Sequence, residues 1–291
     1  MAGILLLGGG GQLGRELSGE LHRLGLPLTA LSHAELDITD RDALAQACAR
    51  HAPQMLINAG AYTNVEQAEV QPELAFAINA AAPGHMAQLC GEAGIPLMHV
   101  STDYVFDHGG PHREGDEPQA RSMYGRSKLR GEQLVSEHCP RALILRVSWL
   151  FGRWGSNFVK TMLRLGRSRN EVGVVCDQLG APTPARALAV DMAGIARRLL
   201  AGEELSCGLY HYCGEPYCSW ADLARAVFAQ AQGLGLLDHE VRVRDLASAD
   251  YPTRAPRPSD SRLDCTRIRE VLGVARPQWA PFLAETLQGT P

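Results

Sequence analysis

A tyrosine and a lysine, Tyr124 and Lys128 in the stretch SMYGRSKLRGE, have the residue types and spacing to transfer a proton. The chain has 28 lysine and arginine residues, and only Lys128 and Lys160 are lysines, so a chance pairing is improbable. An i, i+4 spacing places two side chains on one face of a helix. A nearby ammonium favours the phenolate and lowers the pKa of a tyrosine. The pair therefore predicts a catalytic couple, and the alternative without chemistry is a surface cation beside a partly buried tyrosine.

Three polar residues precede this pair, at the end of a predicted strand. The stretch IPLMHVSTD ends in Ser101, Thr102 and Asp103, and open α/β sheets bind ligands beyond the carboxyl ends of their strands. Thr102 is expected to hydrogen-bond and orient the substrate oxygen. A compact ammonium at Lys128 can bond cofactor ribose hydroxyls and stand near a phenol, where a planar guanidinium would not fit.

A glycine-rich turn, GGGGQLG, follows the first apolar run and opens the first helical pattern. Gly8, Gly11 and Gly14 fit G-x-x-G-x-x-G, a spacing that lets the backbone turn tightly and approach a pyrophosphate. The N-terminus of the helix then offers free N–H groups and partial positive charge to an anion. The turn therefore predicts a dinucleotide site.

The end of the second predicted strand bears on the choice of dinucleotide. An acidic residue there would hold the ribose of NAD, whereas its absence suits the 2′-phosphate of NADP. The sequence has Ser32 and His33 at this place, so NADP is permitted and NAD is not excluded. Asp37 follows, where a carboxylate could face the adenine, and Asp40 is the better N-cap for the next helix.

The elements that must position these residues alternate between strand and helix. Strands are predicted at ILLLG, LPLTALS, MLINAGA, IPLMHVSTD and ALILRVSWLFG, with helices between them, including a long one over residues 72–94 that contains Pro83. This rhythm predicts an α/β fold, a doubly wound, Rossmann-like parallel sheet. We expect a dinucleotide-binding domain over residues 1–150 and a smaller nucleotide-sugar-binding lobe over 151–291, with interleaving of the two left open.

Composition restricts the partners and the location. A hydrophobic content of 45%, a charged content of 21% and a net charge of -4 argue against nucleic acid and anionic membrane as partners. The N-terminal apolar run ends in glycines without a basic start, so we expect a buried strand rather than a signal peptide and a cytoplasmic protein. The eight scattered cysteines lack metal-ligand spacing and are expected to be free thiols.

The motifs together resemble the extended short-chain dehydrogenase/reductase family. That resemblance implies a Tyr–Lys couple, a Ser/Thr and a nicotinamide cofactor, NADPH with NADH as the alternative. More narrowly, the chain is similar to the members that reduce the C4 keto group of dTDP-4-dehydro-L-rhamnose to dTDP-L-rhamnose. The stretches that carry this similarity are GQLGREL, NAGAYTNVEQAE, NAAAPGHMA, STDYVFDHGG, YGRSKLRGE, RVSWLFG, NFVKTMLRLG, DQLGAPT, GLYHYCGEPYCSW and RPSDSRLD.

The resemblance implies a role for individual residues. Tyr124 would protonate the C4 oxygen, assisted by Lys128 and Thr102, while both Tyr124 and Lys128 also contact the cofactor. The other cofactor-binding residues would be Gly8, Gly11, Gln12 and Leu13 at the pyrophosphate, Asp37 and Ile38 at the adenine, and Ala61, Tyr62 and Thr63 between them. The substrate-binding residues would be Thr102, Asp103 and Trp149 along the sugar, and Asn157, Arg257 and Arg262 at the nucleotide diphosphate.

Two departures from the family pattern affect what can be carried over. Glu66 and Gln67 stand where the family usually has Asp and Lys, which leaves local contacts open. Some members form a dimer bridged by Mg²⁺ through glutamates. Glu16 is present, but Arg186 stands where a second glutamate would be wanted, so no metal site is predicted, and the protein is expected to be a monomer or a homodimer.

Three other functions compete with this reduction. A dehydratase of the same fold would need an acidic pair after the threonine, and here Asp103 is followed by Tyr104. Another nucleotide-sugar 4-ketoreductase is possible, because the residues alone do not fix the base or the sugar. The chain also resembles the regulatory subunit of methionine adenosyltransferase, a binding protein, although the retained Tyr124, Lys128 and Thr102 favour catalysis.

Overall fold

The computed structural model describes residues 3–289, so the outermost residues of both predicted lobes, 1–2 and 290–291, lie outside it. The strands are β1 (Ile4–Leu7), β2 (Leu28–Leu31), β3 (Met55–Asn58), β4 (Leu97–Thr102), β5 (Ala142–Val147), β6 (Leu150–Phe151), β7 (Glu171–Val175), β8 (Leu179–Gly180), β9 (Thr183–Pro184), β10 (Gly208–Tyr212), β11 (Cys218–Ser219) and β12 (Arg242–Leu246).

The helices follow the same alternation in the first half of the chain. They are α1 (Gln12–Arg23), α2 (Arg41–His51), α3 (Val65–Ala68), α4 (Pro72–Phe76), α5 (Ala82–Ala93), α6 (Met123–His138), α7 (Phe158–Gly166), α8 (Ala185–Leu200), α9 (Trp220–Gly233), α10 (Thr266–Leu272) and α11 (Pro281–Gln288). A π-helical segment (Ala77–Ala81) joins α4 to α5, and 3₁₀ turns lie at Asp103–Val105 and Ser248–Asp250.

Six parallel strands form the central sheet, in the order β10-β5-β4-β3-β1-β2. The order reverses between β1 and β3, and a reversal of this kind opens a crevice at the carboxyl edge of the sheet. Both faces of β1 are buried, as expected of a strand inside a parallel sheet. Ile4 and Leu6 pack in the hydrophobic cluster of α1 and α8, whereas Leu5 and Leu7 pack in that of α2, α5 and α6. The predicted doubly wound α/β fold is confirmed.

The predicted strand Ala142–Gly152 is wrong as one element. β5 ends at Val147, and β6 pairs with β9 in a separate two-stranded sheet. The break lies at Trp149, a non-glycine residue with a left-handed φ of 42°, a conformation that needs support from its surroundings. The Ser148 hydroxyl donates to Ala181 O at 2.6 Å, and Thr183 N donates to Trp149 O at 3.1 Å, so tertiary contacts hold the turn.

The second half of the chain contributes to two cores. β10 is an edge strand of the central sheet and α8 packs in the same cluster as α1, whereas α7, α9 and α11 enclose a separate hydrophobic cluster with β7. We therefore propose that the two lobes interleave, with residues 185–212 belonging to the first.

All eight cysteines lie in the described part of the chain and are free thiols. Across residues 3–289, none of the helices is both long enough and apolar enough to cross a bilayer.

Candidate active site

The glycine turn after β1 lies at the point where the strand order reverses. Gly8 has a φ of 79°, and a Cβ there would lie 2.5 Å from Gly60 N in the loop after β3. A Cβ on Gly14 would lie 2.1 Å from Gly8 O, which is too close for any other residue. Within residues 3–289, no side chain caps the N-terminus of α1, which begins after Gly11. The N–H groups of the first turn, with Gln12 and Leu13, are thus presented to an anion.

The loop after β3 is held by an asparagine that the sequence did not reveal. Asn79, in the π-helical segment, accepts from Tyr62 N at 2.8 Å and donates to Tyr62 O at 3.1 Å and to the Ser127 hydroxyl at 3.0 Å. Pro83 has no N–H for the carbonyl of Asn79, which helps to explain the irregular segment. This asparagine links Ala61, Tyr62 and Thr63 to the helix that bears Tyr124.

The residues after β2 form a polar, exposed turn. The Glu35 carboxylate accepts from Ser32 N at 2.8 Å and from its hydroxyl at 2.6 Å, and Asp37 accepts from Thr39 N at 2.9 Å. These hydrogen bonds lower the pKa of both carboxyls. Asp40 caps α2 through Ala43 N at 2.9 Å, as predicted. Ile38 is half-buried and its Cδ1 would lie 3.5 Å from a Cβ on Gly60, so it borders the loop after β3.

Tyr124 lies in the first turn of α6, which the Ser122 hydroxyl caps by accepting from Gly125 N at 3.0 Å. Gly125 allows a close approach, because a Cβ there would lie 2.2 Å from Tyr104 O. Burial of the phenol raises the pKa of Tyr124, and the hydroxyl of Thr102 partly counters that shift through a hydrogen bond. The structure thus brings Thr102 and Tyr124 together at the carboxyl end of β4.

Lys128 is fully buried at 1% exposure, and its Nζ donates to Val100 O at 2.6 Å. Burial lowers the pKa of this ammonium to about 8, although the charge of Glu132 opposes the shift. The expectation that Lys128 lowers the pKa of Tyr124 is wrong for this conformation, because burial dominates and the pKa of the phenol is raised. Both residues lie in α6 one turn apart, as predicted, but the predicted direction of the shift in the pKa of Tyr124 was wrong.

Asp103 is buried at 2% exposure instead of lying open along a substrate. Its carboxylate accepts from the Ser261 hydroxyl at 2.6 Å and from the Thr102 hydroxyl at 3.1 Å. Burial raises the pKa of Asp103 to about 7, against these hydrogen bonds. A carboxyl in this position joins β4 to the loop before α10 and orients Thr102.

Trp149 forms a wall beyond β5. Its ring stacks on Trp220 with centroids 3.5 Å apart and planes 10° apart. A Cβ on Gly180 would lie 2.4 Å from the indole, so the glycine makes room for the ring. The side chain is half-buried, which leaves part of an aromatic face for a ligand.

All three predicted diphosphate ligands are engaged within the chain, and two of them, Asn157 and Arg262, hold neighbouring segments. The Asn157 amide caps α7 through Lys160 N at 3.1 Å and donates to Gln12 Oε1 at 2.8 Å. Arg262 forms a bidentate pair with Asp260 at 2.8 and 2.7 Å and donates to Gly110 O at 2.8 Å. Both residues therefore support neighbouring segments in this conformation.

Arg257 lies beside the tyrosines. Its guanidinium donates to the Tyr104 hydroxyl at 2.9 Å and to Glu66 Oε1 at 2.6 Å. The Tyr104 ring meets that of Tyr124 edge-on, with centroids 5.4 Å apart. Glu66 Oε2 accepts from the backbone N–H groups of Arg254 and Ala255 at 2.9 and 3.2 Å. The departure at Glu66 thus has a structural role, as an anchor of the segment that carries Arg257, and sequence reasoning missed it together with Tyr104.

Charged residues around Glu16, in the second turn of α1, form two ion pairs. Glu16 lies 3.3 Å from Arg153 Nε, and Arg186 donates to Glu285 at 2.7 Å. Burial raises the pKa of Glu16 although Arg153 opposes the shift. Arg186 therefore brings a positive charge and a carboxylate partner to the place where a second glutamate was sought.

The assembled site offers an anion-binding turn next to a half-buried phenol, a hydroxyl and a buried ammonium. These groups fit a dinucleotide along the carboxyl edge, since glycines lacking Cβ atoms and an uncapped helix N-terminus lie where a pyrophosphate would need them. Proton transfer to an oxygen beside Thr102 and Tyr124 is the chemistry that the geometry permits.

Comparison with known proteins agrees with this arrangement. The family model described as RmlD substrate binding domain matches residues 1–290. The chain is 41% identical over 282 residues to a dTDP-4-dehydrorhamnose reductase of Aggregatibacter actinomycetemcomitans, covering 96% of each protein. It is 37% identical over 279 residues to the enzyme of the same name from Sinorhizobium fredii, covering 95% of this chain and 93% of the relative. Among solved structures, it is similar to a dTDP-4-dehydrorhamnose reductase from Bacillus anthracis in complex with NADP, with 33% identity, a TM-score of 0.90 and 100% of both chains covered.

Proposed function

We propose the function of this chain from the premise that it belongs to the RmlD substrate binding domain family. It is an NADPH-dependent oxidoreductase that reduces the C4 keto group of dTDP-4-dehydro-L-rhamnose, giving dTDP-L-rhamnose. The observation that carries this function is the convergence of Thr102, Tyr124 and the buried Lys128 at the edge of the sheet where the glycine turn lies. A purely regulatory protein has no need of that convergence.

The cofactor is held by the glycine turn and the loops beside it. Gly8, Gly11, Gln12 and Leu13 bind the pyrophosphate, Asp37 and Ile38 border the adenine, and Ala61, Tyr62 and Thr63 line the middle. Ser32 and His33 leave room for a 2′-phosphate, which supports NADPH over NADH. When bound, the cofactor supplies the hydride that reduces C4.

Tyr124 donates the proton to the C4 oxygen. Burial raises the pKa of its phenol, so the group is protonated at neutral pH, as a proton donor must be before the reaction. Thr102 donates to the same oxygen once its hydroxyl turns away from the Asp103 carboxylate, and so places that oxygen within reach of the phenol. The phenolate left behind is stabilised by the Lys128 charge one helical turn away, and Lys128 also holds the cofactor ribose.

The dTDP-sugar is bound between the two lobes. Trp149 offers a half-exposed aromatic face to the sugar, and Asp103 acts on it indirectly because its carboxylate is buried against Thr102 and Ser261. Arg257 binds the diphosphate, since a guanidinium makes bidentate charge-assisted bonds with such groups. Asn157 and Arg262 support this site. Each of the three residues has partners within the chain, and Arg257 would turn from Glu66 or Tyr104 to reach the ligand.

The remaining expectations concern the cell. We place the enzyme in the cytoplasm, where nucleotide sugars and NADPH are available, and the eight free thiols are consistent with a reducing compartment. We propose a monomer or a homodimer. The ion pairs Glu16–Arg153 and Arg186–Glu285 already engage the two residues compared with the glutamates of a metal bridge, which supports assembly without Mg²⁺.

Turnover of the purified protein tests the function. We expect oxidation of NADPH in the presence of dTDP-4-dehydro-L-rhamnose, and a Tyr124→Phe variant slower by about 10²–10⁴-fold. Tyr251→Phe is the matched control, because it makes the same change at an exposed position, and it should retain most activity. If the wild type consumes no NADPH and behaves like Tyr124→Phe, the chain is a binding protein and not a reductase.

A further inference from the structure

A buried ion pair joins α6 to β5 of the central sheet, one turn along α6 from Lys128, and has no part in the mechanism above. Arg146 of β5 donates through Nη2 to Glu132 Oε2 at 2.7 Å and through Nε to Oε1 at 2.9 Å. The Ser101 hydroxyl of β4 donates to the same Oε1 at 2.5 Å. Exposure is 4% for Glu132, 2% for Arg146 and 3% for Ser101. Three elements are thus joined through one carboxylate.

Glu132 and Lys128 share a helical face but do not bond to each other. Glu132 is directed towards Arg146 and Ser101, while the Lys128 Nζ is directed to Val100 O. Within residues 3–289, the titratable groups whose charge couples to that of Lys128 are Glu132 on its own helix and His99 on β4. Arg146 of β5 is reached through Glu132, and Tyr124 lies one turn back along α6.

The charges around Lys128 decide whether its buried side chain stays protonated. A fully buried lysine loses its proton easily because desolvation disfavours the charged form. His99 cannot help, because burial holds its pKa well below the usual value and it is neutral. The carboxylate of Glu132, one helical turn from Lys128, is the charge that favours the ammonium against desolvation.

We propose that Glu132 is a positioning residue of the reaction, a fixed counter-charge that keeps Lys128 protonated, while Arg146 and Ser101 prevent the carboxylate from pairing with the ammonium directly. Lys128 then stays on Val100 O, available to the cofactor ribose and to the phenolate of Tyr124. The inference rests on the proposed function only in so far as Lys128 takes part in turnover.

The scarcity of lysine allows a direct test on the whole protein. Protein labelled with ¹³C at lysine Cε gives two signals, from Lys128 and Lys160, and a Lys160→Arg variant assigns them. In Glu132→Gln we expect the Lys128 titration midpoint to fall by at least about one pH unit, because a neighbouring opposite charge has been removed. The alkaline limb of the kcat profile should move to lower pH by the same amount, and activity should recover as the pH is lowered.

Matched variants separate charge from folding. Glu137→Gln makes the same change at an exposed position of α6 and should leave the midpoint in place. If Glu132→Gln does not fold because Arg146 is left unpaired, Glu132→Gln/Arg146→Met removes both charges, and its midpoint should still fall. An unchanged Lys128 midpoint in the folded variant, or an equal shift in Glu137→Gln, overturns the proposal. Since the titration needs no turnover, this outcome is distinct from failure of the reductase activity.

Discussion

Two glutamate–arginine pairs flank the proposed active site and differ in their burial and in the elements that they join. Glu132 and Arg146 are buried with side-chain exposures of 6% and 3%, whereas Glu66 and Arg257 retain 40% and 30%. The first pair joins α6 to β5, both regular elements of the sheet domain. The second joins the short helix α3 to a loop 191 residues away in sequence.

The difference shows how the fold divides two tasks. The buried pair belongs to one rigid layer and fixes the helix that carries Tyr124 and Lys128. The half-exposed pair holds a segment without regular structure, residues 251–265, across the edge where a ligand must enter. Since exposed pairs are weak and buried ones cannot be broken cheaply, we infer that the second pair is adjustable on ligand binding and the first is not.

Removal of each arginine compares the two pairs directly. Arg146→Met leaves the Glu132 carboxylate buried without its partner, and we expect a loss of about 3–5 kcal/mol in the free energy of unfolding. Arg257→Met should cost about 1 kcal/mol, because the freed Glu66 is accessible to water. Chemical denaturation measures both. Equal losses would show that the half-exposed pair is as structural as the buried one.

Replacement of each lysine by arginine extends the comparison to catalysis. Lys128→Arg keeps the charge but forces a larger, planar group into a fully buried position, and we expect kcat to fall by about 100-fold. Lys160→Arg is the control, because its ammonium donates to two backbone carbonyls, Arg153 O and Gly155 O, near the surface. Steady-state kinetics checks both, and near-normal turnover by Lys128→Arg would contradict the need for an ammonium at this place.

The first half of the fold could be predicted from sequence because its signals are local. Apolar runs alternate with helical patterns, and the glycine turn has a spacing that the structure explains through contacts below 3 Å for an added Cβ at Gly8 and Gly14. The second half could not be delimited in this way. Its two-residue strands β6, β8, β9 and β11 are too short to show periodicity, and β10 joins the sheet through tertiary contacts alone.

The candidate site shows the same limit. The helical spacing of Tyr124 and Lys128 placed them on one face, but the direction of the pKa shift of Tyr124 depends on burial, which a spacing does not reveal. Glu132 follows Lys128 by one turn, and that spacing could have drawn attention to it. The contact between Glu66 and Arg257 joins residues far apart in sequence and carries no local signal.

The two carboxyls nearest the tyrosines should respond to pH with opposite signs. Burial raises the pKa of Asp103 to about 7, so the folded protein binds a proton that the unfolded chain releases, and stability falls as pH rises through that range. Burial would also raise the pKa of Glu66, but hydrogen bonds from Arg257, Ala255 and Arg254 outweigh it and the pKa is lowered. The contribution of Glu66 to the free energy of unfolding is therefore present at neutral pH and is lost as the pH falls through its lowered pKa.

Asp103→Asn tests the sign at the buried carboxyl. Between about pH 4 and pH 8, the free energy of unfolding of the wild type should fall by on the order of 2 kcal/mol relative to that of the variant. The reason is that the wild type must bury a charge at high pH, whereas the amide has none. The Ser261 hydroxyl can donate to the amide oxygen as it does to the carboxylate. Denaturation at several pH values measures the difference, and a constant difference would mean that Asp103 titrates normally in the fold.

The smallest expected effect concerns the adjustable pair. Glu66→Gln replaces a carboxylate that accepts from Arg257 and from two backbone N–H groups by an amide with one acceptor oxygen, so the segment that carries Arg257 is held less firmly. We expect KM for the dTDP-sugar to rise about fivefold with kcat nearly unchanged, because ordering the segment then costs about 1 kcal/mol of binding free energy. Asp177→Asn is the matched control, since Asp177 anchors Ser248 of the preceding turn through its N–H and hydroxyl. If Asp177→Asn raises KM as much, the rise in KM comes from a general loss of order in this part of the chain and not from the placement of Arg257. A fall in kcat at constant KM would instead mean that Glu66 acts through Tyr104 on the proton donor.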